Sequence, residues 1–318
     1  MVCLYITSMQ PGGGKTLVCA GLGSYLLGKG KKVGFFKPVF NGDQQQVEAS
    51  RRDGLFMKQV LGLDEPVDVI CPVTTVGKAK DAYSLVAAGK DVVITESAYE
   101  VGMILALDAR VIAVEGYDQS PGIFSHYNEL GEHLLGVIVN KAAAGKLGRV
   151  RDEVTAQLKG SGVAVLGVLP EDRLLFTLTI GELAEAIGGE ILNSSEQSAE
   201  LVENFMMGAL TVDPGPEYYG RKSNKAVVVR GERTDMQLAA LETSTRCLVL
   251  CGGTPPAKAV SYRAEVRKAP IILTKGNIMA TVESIEQALG RGRFNQERKL
   301  PRLAEIMERS FNFQALAS

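Results

Sequence analysis

Short apolar runs alternate with amphipathic stretches along the first half of the chain. Each run is apolar without interruption, which is typical of a strand that is covered on both faces of a sheet. The amphipathic stretches space their apolar residues along one face of a helix, as Leu17, Ala20 and Leu26 illustrate. The predicted strands span residues 2–7, 33–36, 92–95, 111–114, 135–140 and 163–169. The predicted helices span residues 16–28, 51–61 and 149–158.

Strands that alternate with helices indicate a mostly parallel sheet flanked by helices. The pattern is interrupted near residues 191–197, where Gly188-Gly189 and Asn193-Ser194-Ser195 favour a linker. It resumes with strands at 226–229, 246–250 and 270–273 and with helices at 234–243 and 280–289. We therefore predict a first domain at residues 1–192, a linker at 193–204, a second, smaller α/β domain at 205–294, and a terminal helix or tail at 295–318.

Composition narrows the classes of partner. The 318 residues include 35 Lys plus Arg and 36 Asp plus Glu, which excludes a strongly basic nucleic-acid binder. Five scattered cysteines do not form a disulfide framework. No apolar run reaches the ~18 residues of a membrane helix, and the N-terminus lacks the layout of a signal peptide. We therefore expect a cytoplasmic protein with no nucleic-acid partner and no membrane segment.

The strongest chemical signal is the sequence Ser8-Met9-Gln10-Pro11-Gly12-Gly13-Gly14-Lys15-Thr16. It lies between a predicted strand and a predicted helix, as a phosphate-binding loop does. Glycines let backbone N–H groups converge on phosphate oxygens, and the helix N-terminus adds partial positive charge. In such a loop Lys15 reaches the β- and γ-phosphates, while the Thr16 hydroxyl binds Mg²⁺. The predicted fold class is therefore α/β, with a P-loop NTPase-type sheet.

The loop departs from the strict phosphate-loop motif at one position. Other residues indicate which nucleotide it binds. Met9 stands where the motif has its first glycine, so a glycine-rich turn before a helix is the alternative. A dinucleotide fingerprint is disfavoured because its third glycine would fall at Leu17. Guanine is read by Asn-Lys-x-Asp, but Ala143 replaces the aspartate that should follow Asn140 and Lys141. We therefore expect ATP.

Motifs along the chain resemble two known domains. Residues 1 to about 192 resemble the dethiobiotin-synthetase-like P-loop domain, and residues from about 205 to 294 resemble the DRTGG domain. The landmarks are Gly14-Lys15-Thr16, Phe36-Lys37-Pro38-Val39, Asp53, Thr95-Glu96, Val139-Asn140-Lys141, Gly167-Val168-Leu169-Pro170-Glu171-Asp172-Arg173 and Gly231-Glu232-Arg233-Thr234-Asp235. This tandem is similar to the N-terminal half of long bacterial phosphotransacetylases. Their catalytic domain has no counterpart in these 318 residues, so acetyl transfer is not expected.

The resemblance implies a set of functional residues. Thr16, Asp53 and Glu96 would hold Mg²⁺, and Lys37 would stabilise the transferring phosphoryl group. An acid at the carboxyl end of a parallel strand, where Glu96 is predicted, lies where such sheets bind ligands. Asp53 is alternatively a solvated helix residue. The adenine contacts implied by the resemblance are Asn140, which reads the base edge, with Pro170 and Glu171 beside the base.

The second domain carries its motif between a strand and a helix. Thr234 or Asp235 is expected to cap that helix, whereas Arg233 could instead hold a carboxylate or phosphate. The small molecule that this domain binds is unknown.

Three functions follow from these features. The favoured one is an Mg-ATP-binding regulatory or sensory protein, because the loop after Glu96 lacks the glycines with which dethiobiotin synthetase approaches its substrate. The first alternative is an ATP-dependent synthetase that phosphorylates a carboxylate or carbamate, and the second is a scaffold with a vestigial loop. If the chain is an enzyme, we expect an ATPase or an ATP-dependent carboxylate or amine ligase. The resemblance also implies a homodimer.

Overall fold

The computed structural model describes residues 1–40, 42–117, 121–160, 162–208, 215–290 and 294–316. The chain forms two compact units, one of Met1–Leu175 with Phe294–Ser318 and one of Phe176–Arg293. The strands are β1 (Val2–Thr7), β2 (Val33–Phe36), β3 (Val39–Phe40), β4 (Val73–Thr74), β5 (Val92–Glu96), β6 (Arg110–Gly116), β7 (Leu134–Ala142), β8 (Val165–Pro170), β9 (Leu178–Thr179), β10 (Glu190–Ile191), β11 (Leu201–Val202), β12 (Asn204–Gly208), β13 (Lys225–Arg230), β14 (Thr245–Cys251) and β15 (Ile271–Leu273). The helices are α1 (Lys15–Gly28), α2 (Gln44–Leu61), α3 (Val67–Ile70), α4 (Val76–Ala87), α5 (Val101–Ala106), α6 (Leu147–Gln157), α7 (Ile180–Ala186), α8 (Pro216–Tyr219), α9 (Thr234–Leu241), α10 (Lys258–Arg267), α11 (Ile278–Gly290) and α12 (Leu300–Ser310).

The first unit is built on a parallel sheet with the strand order β2-β5-β1-β6-β7-β8. Its strands are almost wholly buried, as their uninterrupted apolar runs predict. One core cluster joins Tyr5 and Val93 of the sheet to Tyr83 of α4 and Val150 of α6. Because the strands are parallel, the carboxyl ends of β1, β2, β5, β6 and β7 share one edge, and the residues that follow them meet there.

The segment at 295–318, which the sequence predicts as a terminal helix or tail, is part of the first unit. Its helix α12 packs against α1 and β8. A Cβ on Gly21 would lie 1.9 Å from Met307 Sδ, so a glycine in α1 permits this approach. The helix ends at Ser310, and the backbone of the next residue, Phe311, forms an isolated antiparallel bridge with Gly167 of β8.

The second unit has a five-stranded sheet with the order β10-β15-β14-β13-β12. Four of its strands are parallel, and β10 pairs antiparallel with β15. Helices α9 and α10 contribute to a core cluster with Val227 and Leu250, while α7 and α11 contribute to another cluster with Val228 and Val249. Since successive strand residues face opposite sides, the two clusters cover the two faces of this sheet.

The predicted strands and helices are confirmed, with ends that shift by a few residues. Strands 2–7 and 33–36 coincide with β1 and β2. The helix predicted at 51–61 begins seven residues earlier, since Asp43 Oδ1 accepts a hydrogen bond from Gln46 N (2.8 Å) and caps it.

The two compact units divide before the linker that we predict at 193–204. The boundary lies between Leu175 and Phe176, so α7 and β10 belong to the second unit. Gly188, with φ 56°, and Gly189 form a turn between α7 and β10 inside that unit. The two glycines that suggested a linker therefore form a helix-to-strand turn, and the predicted linker at 193–204 includes β11 and the first residue of β12.

Candidate functional site

The phosphate loop lies between β1 and α1, as predicted, and its glycines are required by its shape. Gly12 and Gly14 have φ values of 81° and 99°, in the left-handed region that favours glycine. A Cβ on Gly14 would lie 2.0 Å from Asn140 Nδ2, and one on Gly13 would lie 2.7 Å from the Val114 carbonyl oxygen. The loop therefore folds closely against the carboxyl ends of β6 and β7.

Asn140 supports this loop from β7. Its buried side chain donates from Nδ2 to the Gly13 carbonyl (3.0 Å) and accepts at Oδ1 from the backbone N–H of Lys141 (2.9 Å). Both ends of the amide are thus engaged by the protein backbone. The adenine contact that the resemblance implies for Asn140 stays a prediction.

Thr16, Lys37, Asp53 and Glu96, which are far apart in sequence, meet at the carboxyl edge of the first sheet. Glu96 is the last residue of β5, Lys37 follows β2, and the other two lie on α1 and α2. Lys37 Nζ is 2.6 Å from Asp53 Oδ2 and 2.5 Å from Glu96 Oε1. Thr16 Oγ1 donates to the same Glu96 oxygen at 2.9 Å. The structure thus brings together the predicted magnesium residues and the predicted phosphoryl-stabilising lysine.

Ion pairs of Lys37 with Asp53 and Glu96 stabilise this cluster. Burial alone would lower the pKa of Lys37, but the carboxylates of Glu96 and Asp53 outweigh that effect and raise it above its ordinary value. Lys37 therefore stays protonated between the two acids. Asp53 is paired rather than solvated, because only 14% of its side chain is exposed.

The cluster is chemically suited to Mg²⁺. It offers two carboxylates and one hydroxyl, and Mg²⁺ is usually bound by one or two carboxylates together with nucleotide phosphates. Glu96 is 2% exposed, and its Oε2 has no hydrogen-bond partner in the part of the chain that the structure describes. A buried carboxylate oxygen without a partner is costly. A cation beside the Thr16 hydroxyl would relieve that cost. Across the described ranges, no group of three or more His, Cys, Asp or Glu could hold a metal alone.

The remaining predicted nucleotide residues lie along the same edge. Lys15 is the first residue of α1, and its side chain forms no hydrogen bond or ion pair with the described residues. Pro170 ends β8, and the backbone N–H of Glu171 donates to the Ala142 carbonyl beside it (2.7 Å). Their positions are compatible with a base-binding role, which stays a prediction.

Sequence reasoning missed Glu115 and Tyr127. Glu115, on β6, is fully buried and hydrogen-bonds to the start of the phosphate loop and to Tyr127. The available signal was an acid directly after the apolar run Val111–Val114, at the carboxyl end of a predicted strand.

In the second unit, the expected helix cap is wrong. Arg233 occupies the N-cap position of α9 and no side-chain hydrogen bond caps that helix. Asp235 instead accepts from Arg233 Nε (3.0 Å) and Nη2 (2.8 Å), and this arginine lowers the pKa of Asp235 to about 2. The carboxylate of Asp235 is held by the arginine fork, which competes with capping.

An open cleft of about 740 Å³ lies at the carboxyl ends of β13 and β14. Its volume is within the range of small-molecule sites. Arg230 and Arg233 line it together with Glu232, whose Oε1 accepts from Thr254 Oγ1 (3.2 Å). The buried Gln237 donates to the carbonyls of Arg230 (2.9 Å) and Gly231 and so fixes the turn that presents these side chains. The remaining lining residues are Cys251, Gly252, Asn277, Ile278 and Met279.

None of the described helices is both long and apolar enough to cross a membrane.

Two families match the chain. The AAA domain family matches residues 3–126, and the DRTGG domain family matches residues 182–288. These matches confirm the predicted tandem of a P-loop domain and a DRTGG domain. The second match begins earlier than the predicted residue 205, in agreement with the position of α7 in the second unit.

The chain is also similar to phosphate acetyltransferases. It is 22% identical to that of Nitratidesulfovibrio vulgaris over 363 aligned positions, covering 99% of this chain and 51% of the relative. The chain thus spans about half the length of this curated relative. The similarity is to the N-terminal region of such proteins.

The chain also has distant likenesses to solved structures. The MinC–MinD cell division complex of Aquifex aeolicus shares 18% identity, with a TM-score of 0.39, covering 55% of this chain and 83% of that chain. The CBS and DRTGG domains of the regulatory region of Clostridium perfringens pyrophosphatase, complexed with its activator diadenosine tetraphosphate, share 12% identity, with a TM-score of 0.33, covering 46% and 71%.

Proposed function

We propose that this AAA–DRTGG chain is a regulatory or sensory protein that binds Mg-ATP in its first unit and a small anionic ligand in its second. The observation that carries the first half is the convergence of Thr16, Lys37, Asp53 and Glu96 beside a glycine-rich loop. The regulatory role is proposed because the chain is similar to the N-terminal region of phosphate acetyltransferases and the segment after Glu96, Ser97-Ala98-Tyr99, contains no glycine that would let a substrate approach the backbone.

In this proposal each residue acts on the nucleotide through its charge or its hydrogen bonds. The loop amides and Lys15 bind the β- and γ-phosphates. Thr16, Asp53 and Glu96 hold Mg²⁺, which neutralises phosphate charge. Lys37 keeps the two carboxylates in place and can turn toward the γ-phosphate, where a cation offsets developing negative charge.

Formal charges explain why the metal is needed. Lys37 with its two carboxylates carries a net charge of −1, which cancels the charge of Lys15 and leaves no net attraction for a bare polyphosphate. A divalent cation makes the site positive. Calorimetry should therefore show ATP binding in the presence of Mg²⁺ and binding at least 10-fold weaker in EDTA. Equal affinity in the two buffers would contradict the proposed metal site.

The second unit is proposed to bind its ligand in the cleft at the ends of β13 and β14. Arg230 favours an anion such as a phosphate or carboxylate, since a guanidinium group binds these groups bidentately, whereas the fork of Arg233 is held by Asp235. Native mass spectrometry of ligands that copurify with a Lys15→Ala variant tests whether the cleft binds an anion. This variant is used because nucleotide bound at the phosphate loop could otherwise be mistaken for the ligand of the cleft. A copurifying anion lost on Arg230→Ser supports the cleft, and an anion retained by Arg230→Ser excludes it.

A synthetase that phosphorylates a carboxylate or carbamate is the second candidate, favoured by Lys37 at the end of β2 beside both acids. Phosphate release from ATP separates the two functions. Release that rises sharply with a carboxylate or diamine and is lost in Lys37→Ala would favour the synthetase. Slow release that ignores these compounds supports the regulatory role.

We also propose a homodimer, by resemblance to dethiobiotin synthetase. Light scattering at micromolar concentration should give twice the mass of one chain, and a monomer there would remove this proposal.

A further inference from the structure

A buried carboxylate lies beside the phosphate loop and takes no part in the magnesium cluster. Glu115 is the second-last residue of β6 and its side chain is fully buried. Because β6 pairs with β1 in the sheet, Glu115 lies next to the residues that leave β1 and start the loop. Burying a carboxylate is costly unless hydrogen bonds compensate it, so the groups that donate to Glu115 have fixed positions.

Those donors come mainly from the loop itself. Glu115 Oε1 accepts from the backbone N–H of Met9 (2.7 Å) and from the Tyr127 hydroxyl (2.5 Å). Ser8 Oγ lies 3.3 Å from Glu115 Oε2, and its one proton is shared between this oxygen and the nearer Gln10 carbonyl of the loop. The Met9 N–H also points to the Tyr127 hydroxyl oxygen at 2.9 Å, which closes a ring of contacts among the three residues.

These contacts explain the departure from the strict motif. Met9 occupies the first glycine position, and its partly buried side chain packs against the core cluster that contains Tyr127. The Met9 N–H is directed to Glu115 and Tyr127, so it is not available for phosphate. The first half of the loop is therefore fixed by Glu115, while the second half is fixed by Asn140 on Gly13.

We infer that Glu115, supported by Tyr127, is a positioning residue that sets the shape of the phosphate loop before nucleotide arrives. It acts through backbone geometry, since its carboxylate faces Ser8 and Met9. The effect on affinity rests on the proposed ATP site, whereas the effect on loop order does not.

Affinity is the first test. Glu115→Ala removes both acceptors and should raise the Kd for Mg-ATP about 10-fold or more, as expected for lost hydrogen bonds to a charged group. Glu115→Gln keeps an oxygen acceptor for Met9 and should stay within about threefold of wild type. Tyr127→Phe should fall between the two. Its matched control is Tyr83→Phe, a buried tyrosine of the same core cluster whose ring packs against Phe36 of β2.

A comparison of ligands separates positioning of the loop from general stability. AMP lacks the β- and γ-phosphates that the loop binds, so its affinity should change much less than that of ATP in Glu115→Ala. A double-mutant cycle should show that Glu115→Ala costs less in a Lys15→Ala background, because both act through the loop. Equal losses for ATP and AMP, or strict additivity, would overturn the inference.

Hydrogen exchange without nucleotide keeps the inference testable even if the chain binds no ATP. The Met9 amide and the peptide covering residues 8–14 should exchange faster in Tyr127→Phe and Glu115→Ala than in Tyr83→Phe. If wild type binds no ATP but these rates rise, the proposed function fails and the positioning role stands. If the rates equal those of Tyr83→Phe, Glu115 does not position the loop.

Discussion

Replacing Lys37 by methionine tests how much the charge of this lysine stabilises the folded first unit against the repulsion between Asp53 and Glu96. Lys37→Met keeps most of the apolar stem but leaves Asp53 and Glu96 without the cation that lies 2.6 and 2.5 Å from them. Breaking a buried ion pair by removing one partner costs about 3–5 kcal/mol. We expect the lower end, about 3 kcal/mol, because Lys37 and Asp53 are 13% and 14% exposed. For a unit of this size, that lowers the melting temperature by roughly 6–12 °C.

Magnesium should reverse part of this loss, since the freed carboxylates and the Thr16 hydroxyl can bind it. At ten times its Kd, a ligand of the folded state adds about 1.4 kcal/mol. The assay is thermal unfolding with and without Mg²⁺. The control is Lys90→Met, which breaks the Lys90–Glu65 pair (2.9 Å, both side chains 19% exposed) and leaves one carboxylate. If Lys37→Met has the melting temperature of wild type, or if Mg²⁺ raises the melting temperatures of both variants equally, Lys37 does not compensate the charge of the two carboxylates.

Three further predictions concern other parts of the molecule. Gly14→Ala forces a Cβ to 2.0 Å from Asn140 Nδ2, so calorimetry should show ATP binding weakened at least 10-fold. The control is Gly77→Ala, whose added Cβ has no atom within 4 Å and whose ATP affinity should match that of wild type. Burial lowers the pKa of Lys225 to about 8, so at this group the unfolded chain binds more protons between pH 8 and about 10; in urea unfolding, the stability of wild type relative to Lys225→Met should therefore rise across that range. Asn140→Ala should speed hydrogen exchange at Gly13 and Gly14, since it removes the 3.0 Å bond to the loop, and unchanged rates would exclude that support.

The parallel sheet of the first unit was predictable because its strands are buried on both faces and therefore read as uninterrupted apolar runs. The loop was predictable for a related reason. Only glycine tolerates the φ values of residues 12 and 14, and the chemistry of phosphate then requires Lys15 and Thr16 to follow. The place of Glu96 in the site was predictable because it is an acid at the carboxyl end of a buried strand, at the edge of the sheet where the phosphate loop also lies.

Local sequence patterns could not predict the contacts between residues that lie far apart in the chain. The boundary between the units depends on β10 pairing with β15, some eighty residues later, whereas the glycines at 188 and 189 gave only the local signal of a turn. Glu115 was missed because its donors are Met9 and Tyr127, which become neighbours only in the folded sheet. The cap on α9 was wrong because the arginine at 233 competes with the helix for the Asp235 carboxylate.

The central claim is that the first unit binds the phosphates of ATP through its glycine-rich loop, and the Kd of Mg-ATP for three proteins tests it most directly. Calorimetry should show binding to wild type, equal binding to the exposed-lysine control Lys31→Ala, and binding weakened about 100-fold or more in Lys15→Ala. No heat of binding in wild type, or the same Kd in Lys15→Ala, would contradict the account.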